Sequence, residues 1–376
     1  SESPLVLVTG VSGFIASWVA HGALKMGYRV RGTVRSLNNE NKVKHLRDLC
    51  PGSKHKIELV EADLTSENGW DAAVKDCKYI LHLASPFPVA EPSDENELIR
   101  PAVDGTLYVL KAASKMEQPP KRIVVTSSFA SIGYGTDCKD KIYTDADWTE
   151  VDNKKFPIGA YTKSKTLAEK AAWEFLESLP SEKKFELATV NPTLVQGPML
   201  SGSSCSSAEI VRDIAIGKMP GLPDMHIGIV SVLDVAKAHL LAMSLPEAAG
   251  KRFLVTAGDM SFCEISAAIC KELKPFPKYK PTQMYVPHFL INMLAFFGDK
   301  AAKTASTSLG KRQRSDPVNA KQILKLPLDQ KPEDLVTEML HAAIYAGIIP
   351  DKSPNGQLTN DYVRPELDVT GIPMAP

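Results

Sequence analysis

Tyr161 and Lys165 stand four residues apart in Tyr161-Thr162-Lys163-Ser164-Lys165, a spacing that puts both side chains on one face of a helix. Together they can move a proton. Free tyrosine has a pKa of about 10, and a neighbouring ammonium favours the phenolate, so Lys165 is expected to lower the pKa of Tyr161. Ser127-Ser128 follows the apolar run at 122–126, and a hydroxyl at Ser128 could hold a carbonyl oxygen by hydrogen bonding. The third group is the glycine turn Thr9-Gly10-Val11-Ser12-Gly13-Phe14-Ile15-Ala16. Gly10 suits a tight turn, Gly13 a close backbone approach and Ala16 the packing of a helix on a strand. Backbone amides from Gly10 to Ile15, at the positive end of the helix that follows, would face a pyrophosphate.

The elements that must position these groups show as short β-rich runs at 5–9, 29–34, 57–61, 79–83, 122–126 and 186–191. Helical patterns at 13–26, 98–115 and 161–179 lie between them, the first stopped by Gly27. This alternation predicts an α/β fold, a Rossmann-type doubly wound parallel sheet with a smaller, interdigitated C-terminal substrate region. Residues 1–191 are expected to form the NADP-binding domain with the catalytic residues, and 192–349 a mainly substrate-binding region with segments returning to the sheet. The run at 227–232 is the expected returning strand. The proline-rich end, 350–376, is expected to drape the surface or move freely. The apolar stretch 289–297 is expected to be a buried helix, and the basic stretch 300–314 a solvated loop.

Arg35, just past the second strand, faces the position of an adenosine ribose. Helped by Lys42, it would pair with a 2′-phosphate, so NADP(H) is the expected cofactor rather than NAD. Asp63 and Leu64 follow the third strand, where the carboxylate could accept from the adenine amino group. Leu83, Ala84 and Ser85 end the fourth strand, where ribose and nicotinamide should lie, and Thr126 ends the fifth. Pro86, Phe87, Phe129 and Gln196 are the expected substrate contacts, and Trp148, Phe156 and Met199 are further candidates for an apolar pocket.

Gly10-x-x-Gly13-x-x-Ala16, Thr126-Ser127-Ser128 and Tyr161-x-x-x-Lys165 resemble the extended short-chain dehydrogenase/reductase family. Thr33-Val34-Arg35, the run from His82 to Phe87, the run from Lys165 to Trp173 and the run from Asn191 to Pro198 resemble its dihydroflavonol reductase-like branch, which includes yeast-type methylglyoxal and aldehyde reductases. The likeness extends from about Leu5 to Ile349. It implies that Ser128, Tyr161 and Lys165 form the catalytic triad, that Pro192 and Val195 line the nicotinamide pocket, and that a carbonyl is reduced with NADPH. Two departures stand out. Tyr108 follows Val103-Asp104-Gly105-Thr106-Leu107 where the family often has an asparagine, and Ser131-Ile132-Gly133 lies where plant flavonoid reductases tend to carry one. A dihydroflavonol is therefore not the preferred substrate. The alternatives are a nucleotide-sugar epimerase or dehydratase-like enzyme and a non-catalytic NADP-sensing protein.

Composition narrows the partners. The 376 residues carry 44 Lys plus Arg against 44 Asp plus Glu, which gives no global attraction to nucleic acid or an anionic membrane. A small-molecule carbonyl substrate is the expected partner, with the chain a monomer or homodimer. The six cysteines lack a C-x-x-C pair, which argues against a zinc site and, with no secretory pattern before residue 5, leads to the expectation of a cytoplasmic protein.

Overall fold

The computed structural model describes residues 3–86, 92, 94–137, 141–202, 205–297, 302, 305–306 and 308–375. The strands are, in chain order, β1 (Leu5–Val8), β2 (Arg29–Val34), β3 (Glu58–Glu61), β4 (Tyr79–His82), β5 (Arg122–Thr126), β6 (Ile142–Tyr143) and β7 (Glu186–Pro192). They continue with β8 (Leu194–Gln196), β9 (Leu222–Pro223), β10 (His226–Ser231), β11 (Arg252–Val255), β12 (Gly258–Ser261), β13 (Tyr285–Val286) and β14 (Arg314–Ser315). The first helices are α1 (Phe14–Lys25), α2 (Glu40–Val43), α3 (Trp70–Val74), α4 (Asn96–Lys115) and α5 (Ala160–Ser178). After them come α6 (Ser206–Ala215), α7 (Val232–Ser244), α8 (Phe262–Leu273) and α9 (His288–Phe296).

A seven-stranded sheet in the order β11-β7-β5-β4-β1-β2-β3 forms the centre, with every pairing parallel. β1 and β4 read Leu-Val-Leu-Val and Tyr-Ile-Leu-His, buried throughout, as strands covered by helices on both faces must be. Alternation then sorts the side chains. Val6 and Val8 point toward the α1 and α7 side, where they join Trp18, Val19, Val235 and Leu240. Leu5 and Leu7 point the other way, against Val109, Leu110 and Ala172 of α4 and α5. The predicted doubly wound sheet is therefore present, with its first six predicted strands in place.

The seventh strand departs from the sequence reading. Residues 227–232 do not return to the main sheet: most of that run, 227–231, lies in β10, which pairs with β8 and β12 in a separate three-stranded sheet. The returning segment is β11, seated on β7. A short apolar run such as Phe253-Leu254-Val255 fits a strand or a helix segment equally, and only its neighbour decides. The small sheet packs with α6, α8 and the helix Pro332–Tyr345 around Val211, Ile265 and Met339. α8 starts at a capping box in which Ser261 and Glu264 satisfy each other's backbone amides.

Helix α9 also corrects an expectation. Only Ile291 is buried in it, while Phe289, Phe296 and Phe297 are 70%, 86% and 77% exposed. Apolar composition reports what a segment would gain by burial, not whether anything covers it. The C-terminal segment is draped and anchored: Leu367 is buried where a side chain on Gly22 would clash with it, and the Ala375 amide donates to the Tyr28 hydroxyl (2.6 Å). Among the described residues, no helix is long and apolar enough to cross a membrane.

Candidate active site

The strand order reverses beside β1, whose neighbours are β2 and β4, and ligands bind at such switch points beyond the strand ends. Thr9 ties the two sides together. Its hydroxyl accepts from the Leu83 and Ala84 amides (2.9 Å each) and meets His82 Nδ1 at 2.9 Å. Burial, with Lys165 nearby, pushes the His82 pKa down to about 3, so the ring is neutral. With Thr9 already accepting twice, its hydroxyl donates to Nδ1, and Nε2 carries the ring proton. That Nε2 has no hydrogen-bond partner.

Gly10 takes φ +63°, a conformation that favours glycine, and its amide donates to Thr33 Oγ1 (2.9 Å). A Cβ there would lie 3.0 Å from that of Ala84, and one on Gly13 would lie 3.1 Å from the Gly10 carbonyl oxygen. Gly13 caps α1 without a side-chain hydrogen bond, and the first-turn amides of Phe14 and Ile15 have no intrahelical acceptor. This backbone cradle at a positive helix end fits a dinucleotide pyrophosphate. At its edge, Arg35 is exposed directly after β2, and Lys42 is exposed on α2. Asp63 accepts from the Thr65 amide and hydroxyl (2.8 Å each). Those bonds, together with the charge of Arg35, hold its carboxyl below the usual range. Leu64 faces α4, so closely that a Cβ on Gly105 would lie 2.8 Å from it.

Ser128, Tyr161 and Lys165 come together at the C-terminal end of β5. Ser128 opens a 3-10 turn over Phe129–Ser131, its Oγ accepting from the Ala130 amide (3.1 Å), and its side chain also hydrogen-bonds Tyr161. Lys165 lies one turn further along α5, with Nζ 5.9 Å from the Tyr161 ring centroid and donating to Ser85 Oγ (2.9 Å). Burial raises the Tyr161 pKa, and the Ser128 bond opposes that rise. Burial also brings Lys165 down to about 8, while the charge of Glu169 opposes that fall. Desolvation thus outweighs the charge effect expected from the Tyr-Lys spacing.

Glu169 was missed by the motif reading. It is fully buried and takes hydrogen bonds from Ser127 Oγ (2.5 Å), Ser131 Oγ (2.6 Å), Asn191 Nδ2 (2.7 Å) and Arg252 Nε (2.6 Å). These contacts hold its carboxyl below the usual range despite burial. The two serines bracket Ser128, so the carboxylate fixes the turn that presents it. Glu169 lies four residues beyond Lys165, and that repeat of the Tyr-Lys spacing was the available signal. Arg252 comes from β11 and stacks 3.7 Å from the Trp148 ring centroid, which gives Trp148 a structural place.

The remaining predicted residues fall in several environments. The Thr126 hydroxyl meets His239 Nε2 (2.7 Å). Pro192, at the end of β7, and Val195, in β8, are buried. Gln196 is fully buried with both amide atoms unpartnered. Phe129 packs with Ile132, Tyr143 and Leu254, and Met199 joins the second core. Pro86 is half-buried, and Phe87 lies outside the described residues. Phe156 lines a cavity of about 220 Å³, whose wall includes Gly159 and Thr162 on either side of Tyr161.

Known proteins agree with this architecture. Residues 6–256 match the NAD dependent epimerase/dehydratase family. Tetraketide alpha-pyrone reductase 1 of Arabidopsis thaliana is 38% identical over 72% of this chain and 82% of its own length. The bifunctional dihydroflavonol 4-reductase/flavanone 4-reductase of Malus domestica is 34% identical over 75% of this chain and 80% of its own. Among solved structures, yeast methylglyoxal/isovaleraldehyde reductase Gre2 complexed with NADPH superposes with a TM-score of 0.71 at 27% identity, covering 90% of this chain and 98% of that one. The chain belongs to the NAD dependent epimerase/dehydratase family of extended short-chain dehydrogenases/reductases, related to plant dihydroflavonol reductase-like enzymes and yeast Gre2-type aldehyde reductases.

Proposed function

We propose that this NADP(H)-dependent oxidoreductase reduces a small carbonyl compound to an alcohol, with Tyr161 as proton donor. The observation that carries this reading is the Ser128–Tyr161 hydrogen bond beside Lys165, with the Gly10–Gly13 cradle across the same sheet edge. The Phe14 and Ile15 amides would hold the pyrophosphate, with Gly10 and Gly13, lacking a Cβ, letting it approach, and Arg35 with Lys42 would hold the 2′-phosphate. Asp63 would face the adenine, with Leu64 packed on α4 beside it, and Leu83, Ala84, Ser85, Thr126, Pro192 and Val195 would flank the ribose and nicotinamide. When bound, the reduced nicotinamide supplies hydride to the carbonyl carbon.

Ser128 holds the carbonyl oxygen next to Tyr161, and Tyr161 passes its proton to that oxygen. Burial keeps the phenol protonated at neutral pH, the state a donor needs. Lys165 stabilises the phenolate left behind by its charge, and Ser85 holds the ammonium in place (2.9 Å).

The test is loss of reduced-nicotinamide absorbance with NADPH and separately NADH, over α-dicarbonyls, aliphatic and aromatic aldehydes, cyclic ketones and a dihydroflavonol. Turnover of a carbonyl with NADPH well ahead of NADH is the expected result. Binding of NADPH with no turnover across the panel would leave the reductase reading without support.

A further inference from the structure

The basic stretch near residue 310 does not run free in solvent. The Gly310 amide donates to the Asp224 carbonyl (2.9 Å), and Arg312 forms a two-pronged ion pair with Asp259 (2.7 and 3.1 Å). Gln313 Nε2 then donates to the Gly133 carbonyl (3.0 Å), and β14 pairs with β6. The segment thus straps the second region to the first, and Ser308, Lys311 and Gln313 line the cavity of about 220 Å³ whose wall also holds Gly159 and Thr162, chain neighbours of Tyr161.

Tyr134, Phe156, Met225, Ile227 and Phe262 make the cavity wall largely apolar. Ionisable partners there are few, and among the described residues no carboxylate lines it. His226 lines it with Nδ1 tied to Asp259 (3.1 Å), a carboxylate already engaged by Arg312. Lys311 places its ammonium 4.9 Å from the Phe156 ring centroid. Among the described residues no carboxylate lies within ion-pair distance of it. Lys155, 5.3 Å from the same centroid, adds a second positive charge. An ammonium on an apolar wall attracts an anion more strongly as water is displaced. The volume falls below the roughly 300–1,000 Å³ of pockets for drug-sized ligands, a size that fits one ring with short substituents.

We propose that this cavity is the substrate pocket and that Lys311 selects single-ring aromatic aldehydes or ketones bearing an anionic substituent. The ring lies among Tyr134, Phe156 and Phe262, and the anion pairs with the ammonium. The proposal rests on the carbonyl-reductase reading, because Gly159 and Thr162 on the cavity wall flank Tyr161.

The experiment compares 2-, 3- and 4-formylbenzoate with the matching neutral formylbenzamides in the full-length protein with NADPH. Wild type, Lys311→Met and Lys311→Arg are assayed side by side. The quantity read is the benzoate-to-benzamide ratio of kcat/KM within each protein, so any shared loss of folded enzyme cancels. For the best isomer, wild type should favour the benzoate by about tenfold or more, through KM, the scale of one charge-assisted contact. Lys311→Met should bring the ratio near one, and Lys311→Arg should restore it. Benzamides reduced as well as benzoates, or a ratio unchanged in Lys311→Met, would overturn the inference and leave the reductase reading intact. If no formylbenzoate or formylbenzamide is turned over, the reductase reading is decided by the wider carbonyl panel, and calorimetric binding of the benzoates decides the inference. Binding weakened by Lys311→Met supports it, and equal binding overturns it.

Discussion

Tyr161 has competing influences on its hydroxyl: burial, which holds the proton on, and the Ser128 hydrogen bond, which eases it off. Lys165 spends its ammonium on Ser85 at 2.9 Å, and its own pKa near 8 leaves it charged at neutral pH. On the proposed reading the pair is set to give a proton, with the positive charge at hand once the proton has gone. Replacing Tyr161 with Phe should preserve NADPH binding and lower turnover by about two to four orders of magnitude, the scale of a lost positioned acid. Fluorescence titration of NADPH beside steady-state rates checks this, and unchanged turnover would remove Tyr161 from the chemistry.

Helix α5 carries more than the proposed proton donor. Tyr161, Lys165 and Glu169 follow at i, i+4 and i+8 on one stripe, so a single helix places the donor, the cation and the carboxylate that anchors the Ser128 turn. Glu169 pairs with Arg252 at 2.6 Å, their side chains 0% and 10% exposed. Removing one member leaves a buried charge without its partner. Glu169→Ala should accordingly cost about 3–5 kcal/mol of stability, read from urea unfolding. A loss below about 1 kcal/mol would mean that water or the Arg252 contacts to the Asp145 and Asp147 carbonyls replace the carboxylate.

Acid should loosen the whole molecule through histidines held neutral in its interior. His82 is lowered to about 3 and His239 to about 4, both chiefly by desolvation. Their unfolded pKa is about 6.5, so between pH 6.5 and about 4 the unfolded chain binds protons that the native chain refuses. Stability then falls as pH falls, by up to about 1.4 kcal/mol per pH unit for each ring. Urea midpoints from pH 6.5 to 5 should show this slope, and His239→Gln should reduce it by one ring's share. An identical slope in that variant would show that His239 is not among the groups responsible.

The sequence by itself determined the features that depend on near neighbours. Gly10 can take a positive φ because it lacks a Cβ, Tyr161 and Lys165 share a helix face because of the helical period, and the β-rich runs alternate with helices because each must cover the other. The extended reductase resemblance followed from those local motifs, as did the glycine turn and the serine, tyrosine and lysine that the fold brings together. Tertiary structure alone decided the rest. Glu169 meets Arg252 across 83 residues, β11 rather than 227–232 completes the main sheet, and the strap near Lys311 returns from the far end of the chain to the catalytic half. Helix α9, as apolar as many core segments, stays largely uncovered. Those outcomes turn on which distant segments become neighbours, and burial energy records that choice only after the chain has folded.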